Sequence, residues 1–204
     1  MVTIINYGCG NIGSISNMLK KLSIKHNIAS SPEELVNAGR LILPGVGHFK
    51  EGMRLLSQDG WIPVLNQKVL VDKISVLGIC LGMQLMTNHS EEGNVNGLGW
   101  IDASVKKFNF TLQNMKIPHM GWNEVLTNFN SPLFEDFNHL EDVRFYHVHS
   151  YYVTLNDPKL EISKTIYGFP FTSSFQKENI YGVQFHPEKS HKYGLKVLSN
   201  FSKI

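Results

Sequence analysis

With 204 residues, 42% of them hydrophobic and 18% charged, the chain suits one globular domain over 1–204 with an ordinary core. A formal net charge of +2 at pH 7, with no basic run denser than the pairs Lys20-Lys21 and Lys106-Lys107, speaks against a nucleic-acid partner. No apolar run reaches the ~20 residues of a membrane span, MVTIINYGCGN lacks the pattern of a secretory leader, and the two cysteines, Cys9 and Cys80, suit free thiols in a reducing cytoplasm.

In chain order, Val2 to Ile5 is a short apolar run leading into the turn Tyr7-Gly8-Cys9-Gly10-Asn11. Ile12, Ile15, Met18, Leu19 and Leu22 then recur at helical spacing. Leu41-Ile42-Leu43 is strand-like and ends in Pro44-Gly45-Val46-Gly47, followed by a predicted helix holding Met53, Leu55 and Leu56. Ser75 to Ile79 is strand-like again, and a helix is expected from Leu81. Strands alternating with helices predict an α/β fold, a mostly parallel central sheet covered on both faces. From Gly97 to about Ser174 aromatics, prolines and alternating stretches such as Arg144 to Tyr152 predict an antiparallel strand extension. Ile180 to Phe185 is a last strand, and Gly194 to Phe201 a closing helix.

Gly78-Ile79-Cys80-Leu81-Gly82 has the form strand, G-x-C-x-G, helix. A nucleophile at a sharp strand-to-helix turn sits on strained backbone, and the chain passes so close to itself that residues two away must be small. The helix that follows turns its free N–H groups and positive dipole end toward the sulfur, favouring thiolate. The Leu81 N–H is placed to meet an oxyanion. Cys9 also lies between glycines but has no companion constellation, and reads as a loop residue near the site.

A thiolate needs a proton acceptor and a third group to orient it. Gln184-Phe185-His186-Pro187-Glu188 supplies both: His186 follows a strand end, Pro187 fixes the backbone, and Glu188 can hold the ring nitrogen that faces away from sulfur. His147 and His149 alternate on one face of a predicted strand, an H-x-H pair that His186 or His191 could complete as a ligand set. Neither C-x-x-C nor H-E-x-x-H accompanies them, so no metal is expected.

Taken together, the Cys80 and His186 strings resemble the class I (triad) glutamine amidotransferases. Tyr7-Gly8-Cys9-Gly10-Asn11, Leu43-Pro44-Gly45-Val46-Gly47, Pro118-His119-Met120-Gly121-Trp122-Asn123 and His149-Ser150-Tyr151 look most like the glutaminase subunits of imidazole glycerol phosphate synthase. The resemblance implies a Cys80-His186-Glu188 triad that hydrolyses L-glutamine to glutamate and ammonia without a cofactor. It implies an oxyanion hole from Leu81 and the Gly45-Val46-Gly47 loop, the second donor being Val46 or Gly47. It implies glutamine binding by Gln84, Ser150 and Tyr151, with a family glutamate near Glu92. It further implies a heterodimer with a (β/α)₈-barrel cyclase of histidine biosynthesis, through an interface carrying Met120, Trp122, Tyr146 and Lys189. The chain departs from the family at Leu85-Met86-Thr87-Asn88-His89, where Phe-Glu is more usual, and at His147, where Phe is.

Other functions fit parts of the pattern. Gly99-Trp100-Ile101-Asp102-Ala103 and Lys189-Ser190-His191-Lys192-Tyr193 lean toward a paralogous subunit supplying ammonia for sugar amidation in surface-polysaccharide synthesis. A γ-glutamyl hydrolase or cysteine peptidase would use a similar elbow and triad, without dependence on a partner. A non-catalytic binding module fits least, because Cys80, His186 and Glu188 are all present.

Overall fold

Strand β1 (Val2–Ile5) is buried on both faces: Val2 and Ile4 pack into one core cluster and Ile5 into another. Two-sided burial is what a parallel strand covered by helices above and below requires. The computed structural model describes residues 1–110, 115–128 and 130–204. After β1 come α1 (Ile12–Lys21), β2 (His26–Ala29), β3 (Arg40–Leu43), α2 (Phe49–Gln58), α3 (Trp61–Asn66), a π-helical turn at Gln67–Val71 and β4 (Ser75–Ile79). Leu41 and Leu43 of β3 join the cluster of Ile5, and Ile42 joins that of Val2 and Ile4. Phe49 and Leu56 of α2 and Trp61 and Leu65 of α3 cover one face of the sheet. Ile15 and Leu19 of α1 cover the other, beside Val197, Leu198 and Phe201 of α5 (His191–Phe201).

The chain between β4 and α5 runs through α4 (Leu81–Leu85), β5 (Thr87–Ser90), β6 (Val95–Asn96), β7 (Ile101–Lys107), β8 (His119–Glu124), β9 (Leu126–Thr127), β10 (Arg144–His149), β11 (Tyr151–Leu155), β12 (Glu161–Tyr167), β13 (Phe169–Lys177) and β14 (Ile180–Val183). The main sheet has the order β2-β1-β3-β4-β14-β13-β11-β7-β5-β6, with β12 pairing β13 and β9. Neighbours from β2 through β14 are parallel, and β13, β11 and β7 continue antiparallel, as the sequence led us to expect for the middle of the chain. Part of that predicted stretch, residues 111–114 and 129, lies outside the described residues. Strands β8 and β10 form a separate antiparallel ribbon.

Two differences from the sequence reading have simple causes. Strand β2 gives no periodic signal because it is an edge strand on which Ala29 is the one buried residue. The closing helix begins at His191, three residues before Gly194 (191 against 194), since polar His191 and Lys192 hide its first turn from a hydrophobic-periodicity reading. What matters for the site is the parallel register of β4 and β14, which aligns Ile79 with Val183. Cys80 and Gln184 follow those partners directly, so two segments far apart in sequence leave the sheet side by side at its carboxyl edge, where α/β folds bind their ligands.

Candidate active site

Cys80 links β4 to α4 with φ 53° and ψ −110°, backbone that a residue with a side chain rarely adopts. Such strain costs on the order of 1–3 kcal/mol and persists only where the surroundings dictate it. Here they do. The Cys80 N–H donates to the Val183 carbonyl at 2.8 Å, tying the turn to β14. A Cβ on Gly82 would collide with the Leu43 carbonyl oxygen, and one on Gly78 would sit 2.7 Å from the Met83 nitrogen. The sulfur ends buried, at the wall of a cleft of about 460 Å³ that His186 also lines.

His186 follows β14 and is fixed at both ends. Its N–H donates to the Tyr146 carbonyl at 2.9 Å, and its carbonyl accepts from Ser190 Oγ at 2.6 Å. Its Nδ1 lies 2.7 Å from Glu188 Oε1, with both side chains buried, which leaves Nε2 without a hydrogen-bond partner among the described residues. Burial alone would push the imidazole toward neutrality. The negative charge of Cys80, with its pull on the ring, and the hydrogen bond and charge of Glu188 outweigh it and hold the His186 pKa up, to about 10. Burial likewise opposes charge on Glu188, but hydrogen bonds from His186 and Asn11 keep its carboxyl below the ordinary range. Asn11 Nδ2 donates to Glu188 Oε1 at 2.9 Å. This contact, across 177 positions, gave no signal in the sequence, where Asn11 read as the end of a turn.

The Pro44–Gly47 loop borders the same cleft through Val46 and Gly47. Its first half is anchored: the Tyr7 hydroxyl donates to the Pro44 carbonyl at 2.8 Å, and a Cβ on Gly45 would meet the Gly82 nitrogen at 2.7 Å. Its second half is exposed and engages Cys9. The Val46 N–H donates to Cys9 Sγ at 3.4 Å, and the Cys9 thiol donates to the Val46 carbonyl at 2.7 Å. Cys9 is thus a loop residue near the site, and in this conformation it occupies the N–H of Val46. Leu81 opens α4 beside Cys80.

Gln84, Ser150 and Tyr151 all line the cleft with Glu92. Gln84 Nε2 is committed inward, to the Tyr151 carbonyl at 3.1 Å and to Gln184 Oε1 at 2.9 Å, so its own carbonyl oxygen is the polar atom left over. One oxygen of Glu92 accepts the Phe49 N–H at 2.8 Å, at the start of α2. Met120, Trp122, Tyr146 and Lys189 form one continuous patch beside the cleft. Met120 and Trp122 are exposed on β8; Trp122 pairs with Tyr146 across the ribbon and stacks on His191 at 5.3 Å, and Lys189 Nζ lies 5.5 Å over the Tyr146 ring.

Behind that patch, His147 and His149 do share a face, and the histidine that joins them is His119 of β8 rather than His186 or His191. His149 Nδ1 lies 2.7 Å from the Tyr151 carbonyl, which an N–H must donate to, so His149 Nε2 is an acceptor; Nδ1 of His119 and of His147 each approach it at 3.2 Å. Burial keeps the trio neutral, lowering His119 to about 4, His149 to about 3 and His147 well below its usual value. The His119 and His147 rings stack at 4.6 Å with planes 24° apart. The three rings bring one nitrogen each within 4.8 Å of one another, and the hydrogen bonds that meet at His149 Nε2 hold them as a buried polar cluster.

A family model described as class-I glutamine amidotransferase matches residues 3–204. The chain is 51% identical to imidazole glycerol phosphate synthase subunit HisH 2 of Methanococcus maripaludis, covering 100% of this chain and 99% of that one. It is 43% identical to subunit HisH 2 of Pseudomonas aeruginosa and 45% identical to subunit HisH 1 of a Campylobacter jejuni strain, each match covering 100% of both chains. Among solved structures, PurLQS from Thermotoga maritima superposes with a TM-score of 0.75 at 15% identity over 98% of this chain and 96% of that one. A glutamine amidotransferase crystal structure gives 0.73 at 16% identity over 100% and 99%. At those identities the likeness to solved structures speaks for the fold alone, a mostly parallel sheet with an antiparallel extension. The match from residue 3 to residue 204, with relatives 43–51% identical end to end, establishes that this chain belongs to the class-I glutamine amidotransferases and is an enzyme of that class.

Proposed function

We propose that the chain is a single amidotransferase domain, the glutaminase subunit of an imidazole glycerol phosphate synthase, working in the cytoplasm with a (β/α)₈-barrel cyclase. The observation that carries the chemistry is the buried His186–Glu188 pair, 2.7 Å apart, on the cleft that Cys80 also lines. The Cys80 thiolate attacks the carboxamide carbon of glutamine, and the oxyanion is met by N–H groups of Leu81 and of the Gly45–Gly47 loop. His186 gives its proton to the departing nitrogen, so ammonia leaves and a glutamyl thioester remains. His186 then takes a proton from water, whose oxygen attacks the thioester and releases glutamate and the thiolate. Gln84, Ser150 and Tyr151 hold the amino-acid end of the substrate. Replacing Cys80 with alanine is expected to abolish glutamate release; a Cys80→Ala chain turning over at the parent rate rules the scheme out.

Ammonia is protonated in water and lost as a nucleophile, so it has to reach its acceptor under cover. Met120, Trp122, Tyr146 and Lys189 supply an aromatic and cationic patch suited to a partner face. The names of the relatives support the histidine pathway. The numbers 1 and 2 in those names, with the Gly99–Ala103 and Lys189–Tyr193 strings, favour keeping the surface-polysaccharide acceptor as a second reading. Reconstitution with each candidate barrel, followed by mass identification of the aminated product, separates the two: an aminated sugar with no imidazole product overturns the histidine assignment.

A further inference from the structure

We infer that Gln184 is a working part of the nucleophile: its side-chain amide donates to the Cys80 sulfur and is held in that orientation by a relay that starts at the Tyr151 carbonyl. Gln184 is wholly buried at the end of β14, and its Nε2 lies 3.7 Å from Cys80 Sγ. This rests on the reading of Cys80 as the nucleophile and adds a residue to it.

An amide placed with oxygen toward a thiolate would repel it, so which end of Gln184 faces the sulfur decides its effect. The neighbours settle the polarity. The Tyr151 carbonyl can only accept, so the Gln84 atom 3.1 Å from it must be the amide nitrogen. The second hydrogen on that nitrogen then points at Gln184, and the atom receiving it at 2.9 Å must be Oε1. That leaves Nε2 of Gln184 for the sulfur. A backbone carbonyl three groups away therefore fixes an N–H against the reacting atom with no charged residue involved.

A buried amide is costly unless its atoms are paired. A wholly buried position would be filled at lower cost by methionine or leucine, so the presence of an amide calls for a partner that needs it. A thiolate is such a partner, because a hydrogen bond to an ionised acceptor is about twice as strong as one to a neutral acceptor. The other group acting on the sulfur is His186, which lines the same cleft and whose pKa is held up to about 10. Gln184 differs from it: it favours thiolate without being able to take or give the proton, and so supports the ionised sulfur before it attacks glutamine and again as the thiolate leaves the thioester.

The test is Gln184→Met, which keeps the length and removes the donor. Cys80 is alkylated with iodoacetamide across pH and followed by peptide mass spectrometry, so that Cys9 is scored separately. Alkylation at about pH 7 is expected to slow roughly tenfold, while the rate at high pH, where every thiol is ionised, stays at the parent value. The kcat for glutamine is expected to fall by a similar factor, with KM within about twofold. A filler role moves neither the pH profile nor this split. Should Gln184→Met not fold, Gln84→Met frees the Gln184 amide from its orienting donor and is expected to slow neutral-pH alkylation about threefold. A parent-like alkylation profile in whichever variant folds overturns the proposal. Alkylation needs neither glutamine nor a partner, so this outcome is separable from failure of the triad scheme, which shows up as an active Cys80→Ala chain.

Discussion

The elbow at Cys80 and the loop at Val46 both face the cleft, yet they are held in opposite ways. Around Cys80 the backbone is wedged: Gly82 lies against the Leu43 carbonyl with no room for one more carbon, and Gly78 against the Met83 nitrogen. At Val46 and Gly47 the chain is exposed, nothing lies within 4 Å of a Cβ placed on Gly47, and contact with one sulfur is what engages the Val46 peptide. The nucleophile is therefore set by sterics, which leave no second arrangement, whereas the loop is set by weak hydrogen bonds that a small change can replace. Gly47, at φ 94°, permits such a change cheaply because it has no side chain to clash.

The largest effect expected from breaking this contrast is at Gly82. A methyl group there overlaps a strand carbonyl, and relief requires moving β3 or α4 (roughly 3 kcal/mol or more by the usual cost of overpacking). Gly82→Ala is expected to lose its cooperative urea transition or to move the midpoint far down. Gly47→Ala meets open space and bears only the penalty of a positive φ, on the order of 1 kcal/mol. Equal destabilisation of the two variants would show that the contrast between elbow and loop is mistaken.

Glu188→Gln comes next. It keeps the shape and removes the charge that supports a buried imidazolium, and by analogy with other triads activity is expected to drop about 10²-fold or more. Stability supplies an independent readout. The raised His186 pKa makes a contribution that is full below 6.5 and is lost as pH rises through about 10. The lowered Glu188 pKa makes one that is present above 4.5 and lost as pH falls through its folded value. The difference in Tm between parent and Glu188→Gln is accordingly expected to be widest between about pH 4.5 and 6.5 and to shrink toward pH 10. A difference that grows with alkali contradicts the pairing. Asn11→Ala removes one of the two donors to Glu188 Oε1 and is expected to cost about tenfold in kcat, with little change in KM.

The same contrast explains which parts of the molecule could be read from sequence. A steric requirement is written in residue identity: G-x-C-x-G states where the chain crosses itself, and His-Pro-Glu carries base and orienter within three positions. Helix α1 and strands β3, β4 and β14 were legible for the same reason, since burial on a defined face dictates residue type. Asn11, Gln184 and His119 were not assigned their contacts, because each is set by which strand ends lie side by side. Nothing near Asn11 in the chain announces Glu188, and Gln184 gains its meaning from Gln84 and Tyr151, which arrive from α4 and β11. The edge strand β2 stayed hidden because half-exposed polar residues carry no period.

The smallest expected effect tests the loop itself. Cys9 receives the Val46 N–H and returns a hydrogen bond to the Val46 carbonyl, so both polar atoms of that residue are turned to one side chain. In the proposed mechanism an N–H of this loop serves the oxyanion, and an N–H engaged by sulfur is not free to do so. Sulfur is a weak acceptor, so the engagement holds the peptide only lightly. Cys9→Ala removes both contacts and leaves Pro44 and Gly45 anchored through Tyr7 and Gly82. The isolated chain should then release glutamate a few times faster, on the scale of one weak hydrogen bond, while the rate with a stimulating partner changes less. Cys9→Ser, with a shorter and stronger acceptor, is expected to move the basal rate the other way. Identical basal rates in all three chains would mean that the Cys9 contacts do not limit the oxyanion donor of this loop.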